Sequence, residues 1–360
     1  MNRKFLYLLI FVFTLSSLSA EEKKEMPSLK IGGQIFMDYY YVIGQDTSVT
    51  SGTNKGGLPA LASDMSGVTF RRIDLWADYD LSKNVTTRLR FETEDTRLVT
   101  SKNIMGFFVK DAFIKFKDVL PGQDIVAGLQ PTFPFEISEA AWGYRSVEKT
   151  QMDLRSIVPT RDMGLSIRGR IDAEGMFNYA VMYGNGSGLA PESDRYKRIY
   201  GIFSVKPVKD LQTFIYADYS YQKDTTIAKS KLDRNVLSAA FFATYKIDNL
   251  INVGVEALYN TTANSYINKD TARVSKNAFL LSAYCNVTIL DNLIGLVRFD
   301  TYDPNIDANS LNDSRKFIVL GFNWKVDKTI NVIPNIEMEL FEKSGIKSTN
   351  IARITLAYNY

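Results

Sequence analysis

Ile351-Ala-Arg-Ile-Thr-Leu-Ala-Tyr-Asn-Tyr360 is the stretch on which the reading of the fold turns. Ile354, Leu356, Tyr358 and Tyr360 are apolar or aromatic, and Arg353, Thr355, Ala357 and Asn359 between them are polar or small. A period of two gives a strand one greasy face and one that is not. A greasy face ending on aromatic rings suits the closing strand of a transmembrane β-barrel, with Tyr358 and Tyr360 in the interfacial girdle and Arg353, Thr355 and Asn359 facing a lumen. A single alternating strand also fits a soluble sandwich, so the rest of the chain must supply partners.

It does. Leu29 to Tyr41 alternates, as do Ile73 to Tyr79, Val85 to Phe91, Ala112 to Phe116 and Ile125 to Leu129. After an interruption the pattern resumes at Met163 to Ile167, Phe177 to Tyr183, Ile199 to Val205 and Ile215 to Tyr221. Val236 to Tyr245 is apolar on both faces, so its inward side stays open. Ile251 to Tyr259, Phe279 to Val287, Val297 to Phe299, Ile318 to Trp324 and Ile336 to Leu340 complete the set. With the last strand this makes about 16, the first expected to pair with the last at closure.

Short and long connections tend to alternate. Ser82–Asn84, Pro121–Gln123, Pro207–Asp210 and Asp248–Asn249 are tight; Gly44–Gly67, Pro131–Pro159, Asn185–Asp194 and Asp303–Ser314 are long. Turns on one rim and loops on the other is the asymmetry of outer-membrane barrels. The expectation is an all-β, 16-stranded antiparallel transmembrane β-barrel, wide enough for an aqueous lumen. A soluble core would not bury the charges that recur on the other strand faces.

Arg3 and Lys4, the apolar run Phe5–Leu15, and Ser16, Ser17, Ser19 and Ala20 predict a cleavable leader over residues 1–20, with the barrel over 21–360. The apolar run is too short for a spanning helix. The chain has 43 basic and 40 acidic residues, and losing Arg3 and Lys4 with the leader leaves 41 against 40. Net charge gives no argument for nucleic acid. The single Cys285 precludes an intrachain disulfide and reads as a small apolar strand residue. With no histidine, a Ser-His-Asp hydrolase and a His metal site are excluded. No cofactor and no enzymatic activity are expected.

Parity assigns charges to the lumen. Arg88 and Arg90 share an inward face, as do Arg168 and Arg170, each pair roughly 7 Å apart. Lys115 and Arg298 fall on inward faces, and so do Glu92, Glu94, Asp111, Asp218, Glu256, Asp300, Glu337 and Glu339. Arginine forks match phosphate and carboxylate oxygens, and a wall of them favours anions. The same charges can instead pair with one another and stiffen the wall.

Several motifs resemble the phosphate-selective porin O/P family, part of the outer-membrane porin superfamily. They are Phe70-Arg71-Arg72, Lys110-Asp111-Ala112-Phe113-Ile114-Lys115-Phe116-Lys117, Val126-Ala127-Gly128-Leu129-Gln130 with Pro131 and Pro134-Phe135, and Pro159-Thr160-Arg161-Asp162-Met163-Gly164. Arg298-Phe299-Asp300, Asp303-Pro304-Asn305 and Leu320-Gly321-Phe322-Asn323-Trp324 resemble its late motifs. The resemblance implies a homotrimer and a loop after the fifth strand folded into the pore. Pro131–Pro159 occupies that place and carries Arg145, Lys149 and Arg155. A solvated external loop is the alternative.

The resemblance also implies an anion site using Arg71, Arg72 and Arg161. Phe70 and Ile73 cannot both face lipid on a regular strand, so a bulge is expected that turns both arginines inward. Pairing at the rim with Asp162 or Asp74 is the other reading. The functional expectation is a bacterial outer-membrane channel, surrounded by lipid, passing small hydrophilic solutes with a tilt toward anions such as phosphate. A surface adhesin, a barrel enzyme and a soluble binder are the readings it competes with.

Overall fold

A computed structural model describes residues 27–46, 48–49, 57–94, 106–222, 232–268, 272–307 and 312–360. The expected leader, parts of the expected loops Gly44–Gly67 and Asp303–Ser314, and the Glu94 side chain lie outside the described residues. Sixteen strands follow one another: β1 (Ser28–Gly44), β2 (Ser66–Ser82), β3 (Val85–Glu94), β4 (Phe108–Leu120) and β5 (Gln123–Pro131). Next come helices α1 (Phe133–Trp142) and α2 (Gln151–Leu154), then β6 (Arg161–Arg170), β7 (Phe177–Gly184), β8 (Arg198–Val208) and β9 (Leu211–Ser220). The last seven are β10 (Val236–Ile247), β11 (Ile251–Ile267), β12 (Arg273–Leu290), β13 (Leu293–Asp303), β14 (Arg315–Lys325), β15 (Ile330–Phe341) and β16 (Thr349–Asn359).

Every strand pairs antiparallel with its sequence neighbours, and β1 pairs with β16, so the sheet is a closed barrel. Closure removes the free edges that lipid could not satisfy. The seam is tight. Gly33 N–H donates to the Tyr360 carbonyl at 3.0 Å, and Tyr360 N–H donates back to the Gly33 carbonyl at 3.0 Å. The Tyr360 ring lies where a Cβ on Gly33 would stand, so a larger residue at 33 would have to displace the ring.

Leu75, Leu89, Leu165, Ile215, Leu281 and Val297 are among the large apolar side chains exposed on the outside. A girdle of this extent belongs in lipid rather than water. Together with the closed barrel it places the chain in an outer membrane. Among the described residues no helix is long and apolar enough to cross a membrane, as expected of a protein that crosses with strands.

Of the register irregularities in the barrel, two bring adjacent charges to one face. Phe36 faces Arg72 and Met37 faces Phe70, leaving Arg71 as the extra residue of β2. Arg90 faces Asp111 and Phe91 faces Val109, leaving Lys110 as the extra residue of β4. A bulge lets neighbours in sequence share a face. Arg71, Arg72, Lys110 and Asp111 are accordingly all buried inside the barrel.

The connection between β5 and β6 folds into the lumen. Its neck is closed by Thr132 N–H to the Thr160 carbonyl at 3.1 Å and by Thr132 Oγ1 to the Pro159 carbonyl at 2.5 Å. Pro134 opens α1, where a missing N–H leaves nothing unsatisfied. Gly143 ends it in the left-handed region at φ 77°, its N–H returning to the Glu139 carbonyl at 2.9 Å.

The loop carries its own apolar cargo. Phe133, Phe135, Trp142, Met152 and Val158 are buried against Met182, Tyr200, Phe214, Phe242, Leu258 and Leu280 of the β7–β12 wall. Val147 and Leu154 pack with Leu296, Phe317, Val319, Ile333 and Ile351 of β13–β16, joined by Val42 of β1 and Leu58 of the β1–β2 connection. This resolves β10. Ser238, Ala240, Phe242 and Thr244 point inward, and Phe242 is apolar because it faces the loop rather than water. It also corrects one expectation of the closing strand. Arg353 and Thr355 are buried instead of bordering open lumen, with Arg353 paired to Glu337 at 2.6 Å and Thr355 accepting from Asn335 Nδ2 at 3.1 Å.

Candidate functional site

The loop is tied to the wall by polar contacts as well as packing. Arg71 donates through Nε to Asp38 at 2.7 Å, through Nη1 to the Val147 carbonyl at 2.5 Å, and through Nη2 to the Ser146 carbonyl. Arg298 grips Asp300 at 2.6 Å and donates to the Lys149 carbonyl at 2.5 Å. Asn252 and Asn286 donate to the carbonyls of Ala141 and Trp142 at 2.9 and 3.2 Å. Glu256 accepts the Met152 N–H at 3.0 Å, and Arg155 pairs with Glu339 at 2.6 Å in a fully buried contact. Arg71, Arg155 and Arg298 therefore serve as anchors of the loop.

These ties and the two apolar clusters occupy the lumen along β7–β16 and β1. Open space remains toward β2–β8, and a further cavity of about 480 Å³ lies between α1 and the turn-side ends of β10–β15, lined by Trp142, Tyr144, Asn252, Asn286 and Asn323. On the long-loop side a cavity of about 650 Å³ is bounded by Arg72, Glu92, Lys110, Arg161, Arg198, the loop residues Arg145, Lys149 and Asp153, and the segment Gly186–Ala190. Six lining side chains are cationic and two are acidic. The volume is that of a small-molecule site.

Behind the cations stand their counter-ions. Arg72 lies 3.1 Å from Glu92, and Lys110 pairs with the same carboxylate. Arg90 forks onto Asp74 at 2.6 and 3.1 Å and also reaches Glu92 at 3.6 Å and Asp111 at 3.8 Å. Arg161 pairs with Asp111 at 2.5 Å. On the loop, Arg145 bridges Glu139 at 2.9 Å and Asp153 at 3.0 Å. Burial opposes ionisation of Asp153, but Arg145 and Lys149 outweigh it and hold its carboxyl down at about 2. Glu148 is likewise held low, burial being overcome by Arg71 and Arg353. Arg198 pairs with Asp218.

The other sequence-assigned residues lie toward the turns. Arg88 makes a two-pronged pair with Asp78 at 2.6 and 2.7 Å, and Lys115 pairs with Asp124 at 2.8 Å. Arg168 stacks 5.3 Å from the Phe133 ring centre and pairs with Glu136 at 3.1 Å. Arg170 is exposed and folds over Gly122. Arg168 and Arg170 share a second cavity of about 510 Å³ with Asp118, Asp124 and Glu136. The twelve assigned cations thus separate into anchors, a loop-side chamber and a turn-side chamber. Arg90 backs the first chamber, while Arg88 and Lys115 hold the wall toward the turns. Asp162 accepts from Tyr200 Oη at 2.7 Å and Gly186 N–H at 2.6 Å, while Arg71 pairs with Asp38 and Arg72 lies 3.1 Å from Glu92.

Lys110 and Arg198 line the chamber without having been singled out from sequence. Arg198 has inward parity with Tyr200, opposite Ile199, and that parity was the available signal. For Lys110 the signal was the adjacency of two charges, Lys110-Asp111, on one strand.

No family model matches the sequence, and neither does any curated protein. The resemblance to the phosphate-selective family rests on the short motifs alone. Solved structures match in fold. The outer membrane channel DcaP of Acinetobacter baumannii is 12% identical, with a TM-score of 0.70 over 95% of this chain and 100% of its own. An anion-selective porin from Comamonas acidovorans is 12% identical, with a TM-score of 0.62 over 93% and 100%. Salmonella typhi OmpF, solved with daunomycin, is 13% identical, with a TM-score of 0.62 over 92% and 97%. The likeness is one of fold, a closed barrel shared with these outer-membrane porins and channels.

Proposed function

We propose that this protein is an outer-membrane porin through which small hydrophilic solutes diffuse, with a tilt toward anions such as phosphate. Nothing is covalently transformed. Size exclusion is supplied by the loop that fills one side of the lumen, and steering by the charges of the remaining wall. The leader over residues 1–20 would direct export, and homotrimers would form in the membrane. OmpT of Vibrio cholerae, described in a trimer form, shares the fold at a TM-score of 0.59 and 12% identity.

The observation that carries this reading is the 650 Å³ chamber with six cationic and two acidic lining side chains. Arginines there keep their charge at any physiological pH and offer planar forks to oxyanions. Cations outnumber acids along the chamber lining, which favours an oxyanion over a cation there. The tilt is moderate, because most of the cations are already paired.

Reconstitution in planar bilayers tests the reading. In a KCl gradient the reversal potential is expected on the chloride side of zero, and added inorganic phosphate is expected to reduce the chloride current. A reversal potential on the potassium side overturns the anion tilt. Absence of conductance steps overturns the channel.

A further inference from the structure

We propose that the cavity of about 480 Å³ between α1 and the turn-side ends of β10–β15 binds a neutral polyhydroxylated solute, a small sugar. The inference goes beyond the anion-tilted channel and concerns a separate part of the lumen. Antiparallel register builds the wall. Lys246, Asn252 and Asn286 form one row across β10–β12, and Thr288, Ile294 and Asn323 form a second across β12–β14. Asn331 of β15 stands opposite Lys325 of β14. The described lining holds five asparagines and no carboxylate.

The cavity has a cationic mouth and an uncharged inner end. Lys246, Asn249 and Lys325 are exposed at the turn rim, whereas Trp142, Asn286 and Asn323 are buried. The inner amides are only partly used. Asn252 is occupied on both atoms, donating to the Ala141 carbonyl at 2.9 Å and accepting from Thr244 Oγ1 at 3.1 Å. Asn286 donates to the Trp142 carbonyl at 3.2 Å, but its Oδ1 has no hydrogen-bond partner among the described residues. The same holds for Asn323 Oδ1, and the two residues are only 5% and 4% exposed. A buried amide oxygen without a donor carries a free-energy cost that a ligand donor removes.

That requirement selects the ligand class. A carboxylate only accepts, so it leaves both oxygens unserved. A cation meets two lysines at the mouth. A hydroxyl donates to an amide oxygen and accepts from an ammonium, so a solute bearing several hydroxyls serves both ends. Leu250, Ile251, Ile294 and Tyr144 offer carbon surface to its skeleton, and the volume is in the range of small-molecule sites.

Trp142 lines the cavity and reports its occupancy. Of the three tryptophans, Trp76→Phe and Trp324→Phe remove the other two emitters. The folded barrel in detergent micelles is titrated with glucose and, separately, with inorganic phosphate, with far-UV circular dichroism following the fold. Trp142 emission is expected to change saturably with glucose and not with phosphate. Asn323→Leu and the milder Asn323→Ser are expected to weaken glucose binding about fivefold, the worth of one neutral hydrogen bond. Leu165→Ala, on the lipid face, is expected to match the parent. A glucose response that does not saturate overturns the proposal. Glucose affinity unchanged in both Asn323 variants overturns the placement of the site. A saturable response to phosphate overturns the neutral class, the lysines then being the binding groups. No current is measured, so failure here leaves the diffusion-channel reading standing, and absence of conductance steps leaves the sugar site standing.

Discussion

Trp142→Ala tests whether the apolar inward wall exists to hold the loop. Trp142 is buried, with its ring centre 5.1 Å from Tyr284 and 5.6 Å from Tyr144, and the Arg298 guanidinium 5.5 Å from it. Its Nε1–H donates to the Glu148 carbonyl at 3.0 Å. Truncating a buried Trp costs about 3–5 kcal/mol, and the orphaned carbonyl adds about 1 kcal/mol. The loop is tethered at both ends by β5 and β6, so the loss acts on its docked-to-undocked ratio. At 1.4 kcal/mol per factor of ten, roughly three to four powers of ten are transferred to undocked states. Single-channel recording at constant salt is the assay. The variant is expected to show a larger conductance level and more open-channel noise. Leu165→Ala, on the lipid face, serves as control and is expected to match wild type. A Trp142→Ala barrel that folds and conducts with wild-type amplitude and noise would refute the argument. The loop would then be held by its polar ties alone.

Three further outcomes follow from the same geometry. Arg155→Met leaves Glu339 buried without its 2.6 Å partner, with Arg315 at 3.9 Å as a poor substitute, and is expected to cost about 3–5 kcal/mol in urea titration of the reconstituted barrel. The double variant Arg155→Met, Glu339→Leu should recover part of that loss, because two apolar groups replace the stranded charge. Gly33→Val places a side chain where the Tyr360 ring lies, so folding into vesicles should slow, and Tyr360→Ala in the same chain should restore the rate. Acid should loosen the loop late. The Asp153 carboxyl, held at about 2, has its pKa depressed by folding, so its stabilising effect is complete above about pH 4 and fades between about pH 4 and 2. A rise in channel noise between about pH 4 and 2 that is absent in Asp153→Asn is the expected record, and the same rise in Asp153→Asn would contradict it.

The strand count was legible because lipid imposes a strict rule on one face of every strand. Leu75, Leu165 and Leu281 are each predicted outward by parity and each lie exposed. The lumen imposes no such rule. Tyr200, Phe214 and Phe242 are inward and aromatic because they meet α1 and its loop, and no local pattern separates that from a lipid-facing row. The place of the loop came from a resemblance, not from periodicity, since its contacts span more than a hundred positions, as between Trp142 and Asn286. The roles of the arginines were likewise hidden. Arg71 and Arg72 are adjacent in sequence, yet one holds loop carbonyls and the other lines the chamber. That division depends on where the loop lies, which sequence parity does not encode.

Adjacent charges on a lipid-bounded strand nevertheless carry information that alternation alone discards. Arg71-Arg72 and Lys110-Asp111 each place two ionised side chains at successive positions of one strand. Strict alternation would send one of each pair into lipid, at about 2–4 kcal/mol for a cation near the midplane. A bulge instead leaves one residue unpaired in the ladder, and a lost hydrogen bond costs about 1 kcal/mol. The bulge wins by that margin in both strands. Its effect on the lumen differs between them. In β2 it supplies one anchor for the loop and one chamber cation; in β4 it supplies a chamber cation together with the carboxylate that holds Arg161. The crowding of charges on this wall is therefore a consequence of strand geometry under lipid constraint.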